Sequence, residues 1–449
     1  MARTLLHNAR VFTGDDDFIG YVLINGKDIE AVAAGTPEPS LMKECEKVQD
    51  LEGKWILPGV IDDQVHFRDP GLTHKGDIES ESRAALAGGV TSFMDMPNTK
   101  PQTVTLKAWQ DKMQRGADVS WANYSFFFGA TNSNEDEIAK IDPSQIPGIK
   151  VFLGASTGNM LVDNEEALDR IFSLPWLIAI HSEDESIIKA NTEGFRERYG
   201  DNVPVSAHPL IRSNKACSES TRRAIERARR LGTRLHILHL STAEEARMLG
   251  NESLEQRKIT GEACVHHLWF TDADYDRLGA LIKWNPAVKR AEDRAELRRA
   301  IADGRIQIVA TDHAPHLLSE KEGGALNAAS GGPGVEQSLL IMLELALQGV
   351  VTQQQVVELM CCNPAKLFGI EKRGFIRNGY RADLVVVDPT HPTVAGEKVY
   401  SKCGWTPYQG IRFSHSIEST YVNGELAYHK GTFLTKAAEP LRFNHAKRQ

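Results

Sequence analysis

The chain has 449 residues, 41% of them hydrophobic and 25% charged, with a formal net charge of −8 at pH 7. This acidic balance argues against a nucleic-acid or anionic-membrane surface as the main partner. No apolar run approaches the roughly 20 residues that cross a bilayer, and the first ten residues lack the apolar core of a signal peptide. Because the six cysteines form no C-x-x-C pair, we expect a cytoplasmic protein with reduced thiols.

Both ends of the chain predict short strands and turns. At the N-terminal end the strand-like segments are 5–12, 21–24 and 29–32, separated by Gly20, Gly26 and Gly35. At the C-terminal end they are 383–388, 419–422 and 426–428, with Asn423 and Gly424 as a hairpin turn. Two β-rich ends around a different middle predict a small composite β-sandwich domain built from residues 1–55 and 371–449.

Residues 56–370 instead alternate between short β-rich runs and longer helical stretches. Helices are predicted at 79–87 and 106–115, after the first two strands. The predicted strands are 60–67, 91–96, 124–128, 149–153, 177–181, 235–239, 262–266 and 308–312. Eight such units predict an α/β fold of the (β/α)₈ TIM-barrel type. A doubly wound open sheet is the alternative, but no G-x-G-x-x-G follows the first strand to indicate dinucleotide binding.

Residues that can bind metals recur at one end of the predicted strands. A single histidine on an apolar strand is usually a core residue, but five candidates at the rim where barrel enzymes place catalytic groups indicate a site. Imidazole and carboxylate suit Zn²⁺, and water bound to that ion loses a proton near neutral pH. A neighbouring carboxylate can accept the proton. The candidates are His66, Lys150, His181, His239 and Asp312.

Lys150 is the unusual member, because an ammonium group cannot bind a cation. One interpretation is a lysine that extends from the strand end to solvent or pairs with a carboxylate. The other is a lysine whose pKa is lowered by burial and which reacts with CO₂ to form a carbamate. A carbamate is anionic and has two oxygens, so it can bridge two metals. The residues alone leave both interpretations open.

Short motifs in the barrel and beyond it carry a family resemblance. They are 58–71 (PGVIDDQVHFRDPG), 96–99 (MPNT), 148–153 (GIKVFL), 181–183 (HSE), 239–242 (HLST), 285–286 (NP), 310–316 (ATDHAPH), 363–366 (NPAK) and 379–388. Together they resemble the amidohydrolase superfamily and, within its cyclic amidohydrolase branch, the dihydroorotase family. The resemblance covers nearly the whole chain. It implies a metal-dependent cyclic amide hydrolase that acts on a small molecule.

The resemblance also implies a metal centre with one or two Zn²⁺ ions per subunit. It implies that Lys150 is carbamylated and bridges the metals, with His181 and His239 holding one metal. His66 and Asp312 would hold the other, and Asp312 would also act as the general acid and base.

The same resemblance implies a substrate-binding set. Arg68, Asn98 and His316 would hold a substrate carboxylate, with Asn285 contacting the same ligand. The backbone at Pro333 and Gly334 would meet a pyrimidine ring. Arg68 follows His66 by two residues, so strand alternation points both side chains to one face. If Arg68 has no substrate role, it is a rim residue that pairs with Asp69 or another carboxylate.

One position departs from the family pattern. The first-strand H-x-H is Gln64-x-His66 here, and an amide oxygen is a weaker ligand than imidazole. The metal near Asp312 is therefore either weakly held or absent, or Gln64 only forms hydrogen bonds near it. An allantoinase or hydantoinase activity, or an inactive scaffold, is the alternative function. A homodimer is left open as the assembly.

Two further segments invite interpretation. Residues 316–334 are rich in glycine, alanine and serine, which suits a mobile flap over a substrate; disorder without function is the alternative. His266 and His267 are adjacent, and we expect a structural role or one of supporting the metal ligands.

Overall fold

The computed structural model of the chain describes residues 3–154 and 160–445. Residues 1–2 and 446–449, the outer ends of the predicted β domain, lie outside the described residues, as do 155–159. The strands are β1 (Arg3–Phe12), β2 (Asp17–Asn25), β3 (Asp28–Ala34), β4 (Lys47–Asp50), β5 (Trp55–Pro58), β6 (Val60–Val65), β7 (Val90–Asp95), β8 (Asn123–Phe126), β9 (Phe128–Gly129), β10 (Ile149–Phe152), β11 (Leu177–His181), β12 (Arg234–Ile237), β13 (Ile259–Cys264), β14 (Ile308–Ala310), β15 (Leu384–Asp388), β16 (Thr393–Val394), β17 (Arg412–Phe413), β18 (Ser416–Val422), β19 (Glu425–His429) and β20 (Thr432–Phe433).

The helices are mostly short and alternate with the central strands. Asp77 and Thr105 begin two of them by accepting a backbone N–H with their side chains, as N-cap residues do. The helices are α1 (Pro39–Glu44), α2 (Ile78–Ala87), α3 (Leu106–Val119), α4 (Glu135–Ile138), α5 (Glu165–Phe172), α6 (Glu185–Tyr199), α7 (His208–Ile211), α8 (Asn214–Leu231), α9 (Ala243–Arg247), α10 (Val265–Trp269), α11 (Tyr275–Leu278), α12 (Ala291–Ala302), α13 (Gly324–Asn327), α14 (Ser338–Leu347), α15 (Gln353–Val357) and α16 (Asn363–Phe368). Among the described residues, no helix is both long enough and apolar enough to span a membrane.

The central strands form the predicted barrel. β6, β7 and β8 pair in parallel, and β9 to β14 form a second parallel set that continues from β8. A parallel bridge between Val65 and His313 joins the last strand to the first. Every residue of β6, β7, β10 and β11 is buried, as expected of strands covered by helices outside and side chains inside. The C-terminal ends of the strands therefore meet at one rim.

Strands from the two chain ends join a single sheet. Its nine strands run in the order β20-β19-β18-β15-β5-β1-β2-β3, with β4 paired to β1. The ends meet where β15 pairs antiparallel to β5, with Leu384 opposite Pro58. The predicted turn is present, since Asn423 and Gly424 both have positive φ (49° and 80°), as a two-residue hairpin requires.

Two local predictions are wrong. Gly20 does not separate strands but lies inside β2, where an added Cβ would stand 2.1 Å from the Ala33 carbonyl oxygen. Gly20 allows the backbones of β2 and β3 to approach closely, and the sequence alone does not distinguish such a glycine from one in a turn. The seventh barrel strand ends at Cys264, and His266 lies in α10.

Candidate active site

A cavity opens at the C-terminal ends of the barrel strands. It contains all five metal-ligand candidates together with aromatic, amide and guanidinium groups. Its lining residues are Gln64, His66, Arg68, Asn98, Lys150, Phe152, His181, His239, Trp284, Asn285, Asp312, Ala314, Ser330 and Gly331. The fold therefore brings together residues that lie up to 267 positions apart in the chain.

His181 and His239 face each other across this cavity. His181 Nδ1 lies 3.0 Å from His239 Nε2, while His181 Nε2 donates to the Glu183 carboxylate at 3.0 Å. Burial opposes ionisation of Glu183, but Arg212, which pairs with it, holds its pKa at about 2. Burial also lowers the pKa of both histidines, so both are neutral at pH 7. The hydrogen bond to Glu183 leaves the lone pair of His181 Nδ1 directed towards His239.

His66 and Asp312 form a second pair. His66 Nε2 lies 3.0 Å from Asp312 Oδ1, and His66 Nδ1 donates to Asn98 Oδ1 at 2.8 Å. Gln64 reaches the same carboxylate, donating from Nε2 to Asp312 Oδ1 at 3.3 Å. Cys264 Sγ lies 3.9 Å from Gln64 Oε1. Asn98, predicted to contact substrate, thus also orients His66, and Gln64 is hydrogen-bonded beside Asp312.

Lys150 is only 1% exposed. Its Nζ atom lies 4.8 Å from the centre of the Phe152 ring, in the interior of the barrel rather than in solvent. Burial lowers the pKa of Lys150 to about 7, although Glu262 and Asp312 act in the opposite direction. A neutral amine is the form that reacts with CO₂, and at this pKa a large fraction is neutral at physiological pH.

Three residues of the site have strained backbones. Arg68, His239 and Asp312 have φ values of 68°, 39° and 46°, a region that residues other than glycine rarely adopt. Such strain persists where the surrounding structure imposes it, and it concentrates at functional sites.

Arg68 is buried at the edge of the cavity, with 4% of its surface exposed. Its Nε atom donates to the Pro315 carbonyl oxygen at 3.0 Å. Asp69, the acidic partner considered from the sequence, pairs instead with Arg115 at 2.9 Å. Within residues 3–154 and 160–445, no carboxylate lies within 4.0 Å of the Arg68 guanidinium.

His316 lies behind Arg68 and does not belong to the lining described above. Its two ring nitrogens lie 3.0 Å from Arg68 Nη2 and 3.1 Å from Lys75 Nζ. Burial and these two cations keep its pKa well below the usual range. His316 is thus a neutral residue that contacts the arginine, and its predicted contact with substrate stays a prediction.

Of the other residues predicted to bind substrate, one lines the cavity and two do not. Asn285 lines the cavity, and its Oδ1 atom is buried without a hydrogen-bond partner among the described residues. Pro333 and Gly334 lie outside the lining, and the Gly334 amide donates to His313 Nδ1 at 3.1 Å. Ser330 and Gly331 of the same loop occupy the cavity edge instead.

The loop 316–334 has a defined conformation that includes α13. The Lys321 ammonium group donates to the carbonyl oxygens of Ala329 (2.8 Å), Gly331 (2.5 Å) and Lys283 (3.3 Å). A buried lysine that binds three carbonyls holds this glycine-rich segment against the barrel. The predicted motion of this segment over a substrate stays a prediction.

His266 and His267 pack beside the cavity. The His266 ring stacks on Trp284 at 4.2 Å, and His267 Nε2 donates to the Pro286 carbonyl oxygen at 3.1 Å. Trp284, which was not predicted from the sequence, lines the cavity and donates to the Asp312 carbonyl oxygen at 3.3 Å. These histidines therefore position the cavity wall, consistent with the expected structural role.

The donor set fits a divalent metal. Two neutral imidazole nitrogens converge at one place, and an imidazole nitrogen and a carboxylate oxygen converge at another. Nitrogen and oxygen donors of this kind suit Zn²⁺. The carboxylate of Glu183 behind His181 is the support that metal-binding histidines usually have. No role was predicted for Glu183 from the sequence; its position two residues after His181, a predicted ligand, was the signal that could have identified it.

The fold and the donor set of the cavity are typical of hydrolases, and comparison with known proteins shows the family. The model of the amidohydrolase family matches residues 55–427, and the chain belongs to this family. It is 37% identical to the dihydroorotase of Halobacterium salinarum, over 79% of this chain and 82% of that protein. It is 34% identical to the dihydroorotase of Pyrococcus furiosus, over 88% of this chain and 86% of that protein.

Solved structures agree on the fold. The L-hydantoinase (dihydropyrimidinase) of Arthrobacter aurescens superposes with a TM-score of 0.91 and 27% identity, covering 98% of this chain and all of that one. The dihydropyrimidinase of Brevibacillus agri, at 23% identity and a TM-score of 0.87, shares the fold. The predicted fold class and the predicted family are confirmed.

Proposed function

We propose that the protein is a zinc-dependent dihydroorotase, which interconverts L-dihydroorotate and N-carbamoyl-L-aspartate in de novo pyrimidine biosynthesis. The identity to curated dihydroorotases supports this assignment over long aligned stretches. The observation that carries it is Arg68, a buried guanidinium at the cavity that no described carboxylate neutralises.

Arg68 distinguishes the proposed substrate from related cyclic amides. Dihydroorotate has a carboxylate outside its ring, and a guanidinium binds a carboxylate through two parallel charge-assisted hydrogen bonds. Hydantoin and allantoin have no such carboxylate and would leave the buried cation without an anion. Asn285 supports the same orientation, because its side-chain oxygen is free among the described residues to accept from a ring N–H.

The chain supplies the proton transfers of the reaction. A metal bound by His66, Lys150 as its carbamate, His181, His239 and Asp312 would supply Lewis acidity, polarising the ring carbonyl and lowering the pKa of water. Asp312 accepts the proton of the attacking water and returns it to the ring nitrogen as the C–N bond breaks. The reverse reaction uses the same carboxylate in the opposite order.

Arg68 also determines how the substrate is oriented. With the carboxylate fixed at Arg68, the ring amide would face the part of the same cavity that holds Asp312 and His66. Fixing the reacting group beside the proton acceptor contributes to the rate by proximity. Asn98 and His316 act in this proposal by holding His66 and Arg68, which they contact at 2.8 and 3.0 Å.

The test is an ultraviolet assay of dihydroorotate ring opening and closure on protein of measured metal content, with allantoin and hydantoin as controls. We expect turnover of dihydroorotate and no comparable turnover of the controls. Faster turnover of hydantoin would favour the activity named for the L-hydantoinase of similar fold. Metal-loaded protein without any activity would favour an inactive scaffold.

The proposed function also leads to expectations about location, partner and assembly. We expect a cytoplasmic enzyme whose partner is a small-molecule substrate, with a homodimer as the assembly to be measured by sedimentation.

A further inference from the structure

The barrel interior holds a second cluster of metal-binding side chains, outside the lining of the cavity. Asp63 of β6, His236 of β12 and Glu262 of β13 are each 0% exposed. His236 Nε2 lies 3.4 Å from Asp63 Oδ2 and 3.6 Å from Glu262 Oε2. Within the described part of the chain, no lysine or arginine nitrogen lies within 4.0 Å of either carboxylate. We call these three residues the interior triad.

The donor atoms of the interior triad are left without partners. Asp63 Oδ1 and Oδ2, His236 Nε2 and Glu262 Oε2 are buried and form no hydrogen bond with described residues. Buried polar atoms are nearly always hydrogen-bonded, and buried charges are paired or bind metals. Four such atoms at one place therefore need either a shared proton or a bound cation.

The hydrogen bond of His236 to Thr260 determines which of its ring nitrogens carries the hydrogen. Its Nδ1 atom lies 2.8 Å from Thr260 Oγ1, and the Thr260 hydroxyl donates its single hydrogen to the Leu235 carbonyl oxygen at 3.3 Å. The hydroxyl oxygen therefore accepts from His236 Nδ1–H. In the neutral imidazole this directs the lone pair of Nε2 towards two carboxylates, so a positive charge is needed between them. That charge is either a metal ion or a proton on Nε2, because burial opposes the charge of His236 but Asp63 and Glu262 raise its pKa.

Distances separate a metal site from an ion pair. An imidazolium that donates to a carboxylate does so at about 2.7–2.9 Å, and both separations here are longer. Ligand atoms about 2.0–2.1 Å from a tetrahedral Zn²⁺ are spaced about 3.3–3.4 Å from each other. The separations of 3.4 and 3.6 Å from His236 Nε2 are closer to this wider spacing than to that of an ion pair. Thr260 behind His236 is the kind of support that a metal-binding histidine usually has.

We infer that Asp63, His236 and Glu262 bind a structural divalent transition-metal ion inside the barrel, separate from the metal centre of the cavity. Imidazole together with carboxylates suits Zn²⁺ and its neighbours in the first transition series. Asp63, His236 and Glu262 offer one ligand each, and a water molecule would complete the four-coordinate shell that Zn²⁺ prefers. Ca²⁺ and Mg²⁺ are disfavoured, because they take six or more oxygens or retain several waters.

A metal there would support the wall of the catalytic cavity. The second oxygen of Glu262, Oε1, accepts from the His239 backbone N–H at 3.1 Å. His239 has the strained φ of 39°. Fixing Glu262 through its other oxygen would therefore hold the backbone of a predicted catalytic ligand. The role is structural, because none of the three residues lines the cavity.

Anomalous diffraction locates the ion directly. Crystals of the full chain saturated with zinc should show an anomalous peak at the zinc edge between Asp63, His236 and Glu262, separate from any peak at Lys150. Zinc-saturated crystals without a peak between these side chains overturn the inference. The result does not depend on which substrate the enzyme uses.

Metal analysis provides a second test. After dialysis against metal-free buffer, Asp63→Asn should retain one zinc per chain fewer than the natural protein, whatever number the cavity holds. The matched control is Asp388→Asn, which alters a buried carboxylate of β15 in the terminal sheet and should leave the zinc content unchanged. Equal zinc contents of natural protein and Asp63→Asn would mean that the two carboxylates share a proton instead.

Discussion

The two halves of the candidate metal centre are supported by different groups. Behind His181 stands the Glu183–Arg212 ion pair, which fixes the direction of its ring. Behind His66 stands the neutral amide of Asn98, and Asp312 meets the amide of Gln64. One half is thus held by charges and the other by neutral hydrogen bonds.

This difference matches the work proposed for each half. The only task proposed for His181 and His239 is to bind a metal, and the rigid charged support behind His181 strengthens that binding. Asp312 must also take up and release a proton, and no described lysine or arginine lies within 4.0 Å of its carboxylate to compete with that proton. The neutral half should bind metal more weakly. Four variants test this comparison.

Lys150→Ala should remove the metal from both halves of the centre. The carbamate would supply anionic oxygens to both metals, so we expect the loss of cavity metal together with a loss of activity of at least about 10³-fold. Metal analysis and the ultraviolet assay check this, with exposed Lys140→Ala as control. Short carboxylic acids with added zinc should partly restore both. Unchanged metal and activity would show that Lys150 is an ordinary lysine.

Arg68→Met should leave both halves intact and remove the substrate contact. Loss of a charge-assisted bidentate contact costs about 2–3 kcal/mol, or about 10²-fold in kcat/KM, with a raised KM. Cavity metal content should not change. The control is Arg83→Met on α2, whose guanidinium pairs with Glu79 at 2.9 Å. Normal dihydroorotate kinetics in Arg68→Met would place the carboxylate elsewhere.

Glu183→Gln should weaken only the half held by charges. The amide no longer attracts the His181 N–H as a carboxylate does, so affinity for the metal at His181 and His239 should fall about 10–100-fold. Competition with a zinc chelator measures this affinity. Glu193→Gln, an exposed position on α6, serves as control. Equal affinities would limit Glu183 to a structural pairing with Arg212.

Gln64→His should strengthen the neutral half, with the smallest effect of the four. Gln64 and His66 both contact Asp312 Oδ1, so the new imidazole can join His66 and Asp312. We expect tighter binding of the weaker metal, and activity in limiting zinc that rises or holds steady. If Gln64 acts only through its hydrogen bond to Asp312, the larger ring will crowd the cavity and lower activity without improving affinity.

Much of the architecture could be predicted from the sequence. Buried parallel strands carry continuous apolar runs, and all eight predicted barrel strands overlap observed strands. Since strand ends of a barrel share one rim, the strand pattern alone was enough to place His66, Lys150, His181, His239 and Asp312 in one cavity. Asn423 and Gly424 predicted their turn because few sequences tolerate two positive φ values.

Atomic pairing could only come from the tertiary structure. Strand alternation determines the face on which a side chain lies, but which atoms meet across the barrel depends on the closure of the strands. Three features depend on that closure: the convergence of His181 Nδ1 on His239 Nε2, the contact of Lys321 in the loop 316–334 with Lys283, and the assembly of Asp63, His236 and Glu262. The sequence by itself determined the fold class and the chemistry of the rim. The folded barrel decided which groups are isolated from water, and burial is what changes a lysine or a carboxylate from a solvated charge into a metal-binding candidate.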